Sequence, residues 1–220
     1  LCYVTDELLE DAVALEGYVN QWFPMEMGFK LDDAIINGDG AGKPLGIMNA
    51  PGRVTVAKET NQTATTIVTN NILKMFQRCW GPSHPNAVWF FNQDMLPSLM
   101  TLTIPIGTAG VLANLYQFPG SPLNYGSPYG TILGKPAIPI EQCATLGSEG
   151  DIILMDCSQY IVGDKGGMNA ASSIHVQFLT DQTAFRWVYR VNGEPIWHSP
   201  LTPFKGSATL SPYVTVAVRA

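Results

Sequence analysis

The chain has 220 residues, enough for one large domain or two small ones, and 46% of them are hydrophobic, which excludes an unfolded chain. Only 14% are charged, against about a quarter in ordinary soluble domains, so much of the surface is expected to lie against other protein. Residues 1–40 hold nine acids and one base, a net charge of −8, which disfavours direct reading of DNA or RNA by this segment.

Thr5 is placed to cap a helix whose first turn carries Asp6 and Glu7, with Glu10 close behind, as the helix dipole favours. Apolar residues at Leu8, Ala12, Leu15, Val19, Trp22, Met27, Leu31, Ala34 and Ile35 follow helical spacing and predict one face against a core. Pro24 interrupts that pattern and predicts a kink or break near residues 20–25.

The helix runs into Asn37-Gly38-Asp39-Gly40-Ala41-Gly42-Lys43-Pro44-Leu45-Gly46-Ile47. Glycines at 38, 40, 42 and 46 permit positive φ, and Pro44 removes a backbone donor, so the chain should turn sharply here. A phosphate-binding loop would need a glycine at Asn37 and a Ser or Thr at Pro44, and neither is there. A dinucleotide loop would need a strand before the glycines, and here a helix precedes them. The segment reads as a structural junction.

Further along, Val54–Val56 predicts a short strand, Thr66–Trp80 a second helix, Gly81–Pro85 a turn and Ala87–Phe91 a buried strand. Asn92 should cap a short helix over residues 93–100. No charged residue occurs between Met95 and Gly134, yet the prolines and glycines within it exclude a membrane span. Residues 101–129 read as loop, 132–140 as a strand interrupted at Gly134 and Pro136, and 151–155 and 160–163 as strands. Ser173–Val191 alternates on both sides of Thr180–Thr183, Val191–Glu194 reads as a turn, and Tyr213–Val218 as a last strand. Helices and strands mix without βαβ order, which makes the class α+β.

Cys2, Cys79, Cys143 and Cys157 are scattered without metal spacing and read as reduced thiols. No catalytic motif occurs, so no catalytic, cofactor or metal residues are assigned. His84 sits in a proline-flanked turn, and His175 reads as a strand residue. A small hydrolase built from His175, Asp181 and a serine is the alternative from a different class, and it requires those groups to converge.

Several segments, in order, resemble the major capsid protein family of tailed phages, which has the Hong Kong 97-type fold. They are Glu7-Leu8-Leu9-Glu10-Asp11-Ala12 with the long helix, then Asn37, Gly38, Asp39, Gly40, Gly42, Pro44 and Gly46 of the glycine segment. Val88-Trp89-Phe90-Phe91-Asn92 follows, and then Leu133-Gly134-Lys135-Pro136-Ala137, where the family has valine in place of Ala137. Gly150-Asp151-Ile152, Ser158-Gln159-Tyr160 with Gly163-Asp164, and Phe185-Arg186 to Gly193 complete the set.

The resemblance implies a spine helix and β-hairpin in a peripheral domain, and an axial domain with a central mixed sheet. It divides the chain into residues 1–60 (peripheral), 61–171 (axial), 172–198 (peripheral hairpin) and 199–220 (return to the axial domain). It implies pentamers and hexamers of self, partnership with scaffold, protease and portal proteins, and a shell around DNA held without sequence-specific contacts. It implies no membrane, no cofactor, and a place in the virion capsid after assembly in the host cytoplasm. Members of the family carry an N-terminal arm and an extended loop before the spine helix, and this sequence is expected to begin about where that loop ends. An encapsulin-like compartment is the alternative within the same fold. The uncharged middle is expected near a symmetry axis, where a charge at Gly110 or Asn114 would disrupt capsomers. Glu7, Glu10 and Asp11 are expected to keep packaged DNA from sticking.

Overall fold

The computed structural model describes residues 1–12, 14–106, 111–121 and 128–220. Its centre is a seven-stranded mixed sheet of order β2-β14-β9-β3-β8-β7-β6. These strands are β2 (Val54–Val56), β3 (Ala87–Phe91), β6 (Tyr116–Gln117), β7 (Gly130–Ile132), β8 (Lys135–Pro139), β9 (Ile152–Asp156) and β14 (Tyr213–Val216). β14 is parallel to β2 and antiparallel to β9, and β3 is parallel to β8. The inner strand β9 is buried along its whole length, because both sheet faces are covered. Ile152 and Leu154 join Ile72 and Met75 of α3 (Thr69–Arg78) in one core. Ile153 and Met155 join Ile36, Ile47 and Tyr213 in a second core on the other face.

A separate three-stranded sheet has the order β1-β12-β11, from β1 (Cys2–Thr5), β11 (Asn169–Gln177) and β12 (Gln182–Val188). The long helix α2 (Leu15–Asn37) meets this sheet, where Phe23 stacks on Trp187 at 4.3 Å between ring centroids. A two-stranded ribbon pairs β10 (Tyr160–Asp164) with β13 (Val191–Pro195), and a hairpin pairs β4 (Thr103–Ile106) with β5 (Val111–Asn114). Among the described residues no helix is long and apolar enough to cross a membrane.

Several expectations need correction. The first helical segment is two pieces, α1 (Asp6–Asp11) and α2, and it is not interrupted at Pro24. The Asp6 N–H donates to Asp181 O at 3.1 Å, and Thr183 Oγ1 donates to Asp6 Oδ1 at 2.6 Å. The start of α1 is thereby tied to the hairpin turn. Helix α2 continues through Pro24, which costs one backbone bond while Phe23 next to it stays anchored on Trp187. The expected apolar face holds at Leu15, Val19, Met27, Leu31, Ala34 and Ile35 but not at Leu8 and Trp22, and a second, exposed apolar face lies beside it on α2. Val19, Phe23, Met27 and Leu31 are half-buried, whereas Tyr18, Trp22, Met25 and Phe29 are exposed.

The middle is less irregular than composition suggested, since β4, β5 and β6 lie within residues 101–129. Gly110 lies outside the described residues, and Asn114 ends β5 opposite Thr103. The interruption at Gly134 is a tight turn, with Leu133 and Gly134 at φ of 50° and 74°, so residues 130–139 form a hairpin. Val191–Glu194 is strand β13, not a turn, because its register pairs Gly193 with Val162. The remaining expected elements are present, including the Asn92 cap, whose Oδ1 accepts from Asp94 N at 3.0 Å, whereas Thr5 stands at the start of α1 without a side-chain capping bond. All four cysteines are free thiols.

Candidate functional site: the joint after the long helix

The glycine segment begins where Ile36 enters the second core, so the end of α2 is fixed by burial. Gly38 follows at φ −58°, and Gly46 sits at φ −77°. These two glycines answer close approach, not positive φ. A Cβ on Gly38 would overlap the carbonyls of Pro44 and Ala34. One on Gly46 would overlap Gly38 N and lie 2.6 Å from Ile36 O. The two ends of the loop are thus pressed together, and the Gly46 N–H donates to Gly38 O at 2.8 Å. Positive φ is confined to Gly40 (78°) and Gly42 (73°), at the exposed bend.

Side chains complete the joint. Asn37 Nδ2 donates to Asp33 Oδ1 and to Gln142 O, both at 2.8 Å, linking the helix to the chain after β8. Asn49 Nδ2 donates to Asn37 O and Gly38 O, satisfying carbonyls that the helix end leaves open. Asp39 Oδ1 accepts from Ala41 N at 3.0 Å and faces Lys43 Nζ at 3.6 Å. The Ala41 N–H, with Lys43 adding to it, holds the Asp39 carboxyl below its ordinary value. Pro44 is buried, and Leu45 is bound on both sides of its peptide. Its N–H donates to Gly193 O at 2.9 Å, and its carbonyl accepts from Tyr160 Oη at 2.9 Å. Gly193 must be glycine because a Cβ would lie 2.7 Å from the Tyr160 ring.

Each segment residue therefore has a structural place. Asn37, Gly38, Pro44 and Gly46 form the clasp, and Asp39, Gly40 and Gly42 form the bend. Asn49, Gln142, Tyr160 and Gly193 are the partners that the loop sequence alone did not reveal. Tyr160 and Gly193 stood within the quoted family stretches, but no local pattern paired them with Leu45. His175 is exposed on β11, and Asp181 is an exposed turn residue at φ 52°. Neither lines the groove beside the joint, which is formed by α2, residues 42–44, Tyr189 and Val191.

The family model described as "Phage capsid family" matches residues 1–206. The chain belongs to the phage capsid family. Among solved structures, this capsid protein is similar to the capsid of an empty GTA particle, with 14% identity and a TM-score of 0.71 over 100% of this chain and 71% of that one. It is also similar to a chain of Mycobacterium phage Adephagia, with 14% identity and a TM-score of 0.62 over 98% of this chain and 69% of that one. A chain of Gordonia phage Cozz aligns with 12% identity and a TM-score of 0.59 over 100% of this chain and 68% of that one. At these identities the likeness is one of fold, and the α+β capsid protein has the Hong Kong 97-type capsid fold. No curated protein sequence is similar enough to this capsid protein to match it.

Proposed function

We propose that this capsid protein assembles with copies of itself into pentamers and hexamers, and that these close into an icosahedral shell around phage DNA. The observation that carries the reading is the family match, which runs through residues 1–206 and so includes the helix, the joint and the central sheet. Physical character supports it. A chain with 14% charged residues that also exposes Tyr18, Trp22, Phe178, Leu179 and Phe204 presents surface suited to protein contact. The role is structural, not enzymatic, and the joint is its key local device.

In this reading residues 1–60 and 172–198 are the peripheral part, and 61–171 and 199–220 the axial part. The joint sets the angle between them: Leu45 is bonded to β13 and β10, while Asn37 reaches Gln142. Scaffold, protease and portal proteins would act on the assembling shell in the host cytoplasm. The test is sedimentation of the full natural chain followed by electron microscopy of the fast fraction. Closed shells support the reading, and a monomer at every concentration refutes it.

A further inference from the structure

Resting on that self-assembly reading, we propose that the β11–β12 tip of one copy docks into the groove beside the joint of a second copy. The tip is a strongly exposed apolar feature on a defined turn. Phe178 is 77% exposed and Leu179 97% exposed, and Ile174 and Val176 continue the ridge along β11. Polar bonds at its base hold it out, through Asp6 to Asp181 and Thr183. Residues 169–180 carry no Asp, Glu, Lys or Arg, so docking would strand no charge.

The groove is apolar and has a volume of about 420 Å³. Phe23, Met27, Leu31, Pro44, Tyr189 and Val191 line it, with Lys30, Lys43 and Glu26 as its charged residues, a net positive charge. Among the described residues those lysines pair with exposed acids, Glu26 at 3.8 Å and Asp39 at 3.6 Å. Asp181, two residues beyond Leu179, supplies a carboxylate complementary to both ammonium groups.

The tip cannot reach its own groove. It begins β12, whereas Tyr189 and Val191 follow its end, and seven strand residues span about 23 Å. The contact is therefore head-to-tail between copies, the heterologous kind that closes rings. The exposed ridge amounts to on the order of 500 Å², against about 800 Å² per partner in a standard interface. It is one of several contacts a shell subunit would make.

The experiment uses the full natural chain with Cys2→Ser and Cys157→Ser, since Cys79 and Cys143 are buried. Leu179→Cys and Lys43→Cys copies are purified separately as unassembled chains, mixed, co-assembled and then treated with a short bismaleimide. Crosslinked dimer is expected in the mixture at about tenfold or more over either variant alone, because docking raises the effective concentration. Leu179→Asp is expected to abolish assembly without changing the thermal midpoint of the unassembled chain. Parent shells without the mixed crosslink, a crosslink from Leu179→Cys alone, or intact assembly of Leu179→Asp would overturn the docking and leave the shell reading standing. A parent chain that never associates would overturn both.

Discussion

Asn49 caps the C-terminal end of α2 by donating from Nδ2 to Asn37 O at 3.0 Å and to Gly38 O at 2.9 Å. One side chain thus closes the helix and the turn that follows it. Asn49→Ala should lower stability by about 1 kcal/mol for the lost bonds, read by urea denaturation. No loss would mean that water replaces Asn49 without cost.

The glycines of the joint separate into two kinds with different expected costs. Gly46→Ala places a methyl against backbone at Gly38 and Ile36, which cannot step aside as a side chain could. It should cost about 3 kcal/mol or more. Gly42→Ala meets nothing within 4 Å among the described residues, and its φ of 73° alone should cost about 1 kcal/mol. Denaturation of the two variants side by side tests the ordering.

The sequence made the central elements legible for a physical reason. Ala87–Phe91 and residues 152–155 are short, continuously apolar runs between turn or polar residues, and they lie in adjacent inner strands of the seven-stranded sheet. The joint was legible as a turn because glycine and proline act locally. Its mechanism was not, since Gly38 and Gly46 are required by contacts with each other and with Pro44, Ala34 and Ile36. Strand β13 was hidden because Asn192 and Gly193 read as a turn, while their pairing partners lie about thirty residues earlier on β10. The second apolar face of α2 could not be told from a core face, because spacing does not say which face has a neighbour.

His84 provides a pH test. Its ring packs on Phe76 at 4.5 Å, and Nδ1 is buried without a hydrogen-bond partner among the described residues. Burial, with Lys135 adding to it, holds the imidazole below its ordinary value of 6.5. The folded protein favours the neutral ring, so this contribution is complete above that value and is lost as pH falls through the lower folded value. The thermal midpoint should fall between pH 7 and pH 5, and His84→Phe should flatten the fall. An unchanged slope would contradict the assignment.

Asp151 and Arg219 form an ion pair in which both side chains are 0% exposed. Arg219 Nε also donates to Thr66 O at 2.6 Å, and Asp151 Oδ2 accepts from Gly147 N at 2.9 Å. Burial pushes the Asp151 carboxyl up, opposed by the Gly147 N–H and by Arg219. Arg219→Met leaves a buried carboxylate unpaired and should cost about 3–5 kcal/mol. Adding Asp151→Leu should recover much of that loss, and a double variant no better than the single would show that the pair is not the cause.

The central claim is that this chain is the repeating unit of a closed shell. Cryo-electron microscopy of particles formed by the full natural chain tests it most directly. The account predicts symmetric capsomers in which the shell density follows α2, the glycine joint and the seven-stranded sheet in every subunit. Particles whose walls do not contain this fold, or a chain that stays monomeric under all assembly conditions, would contradict it.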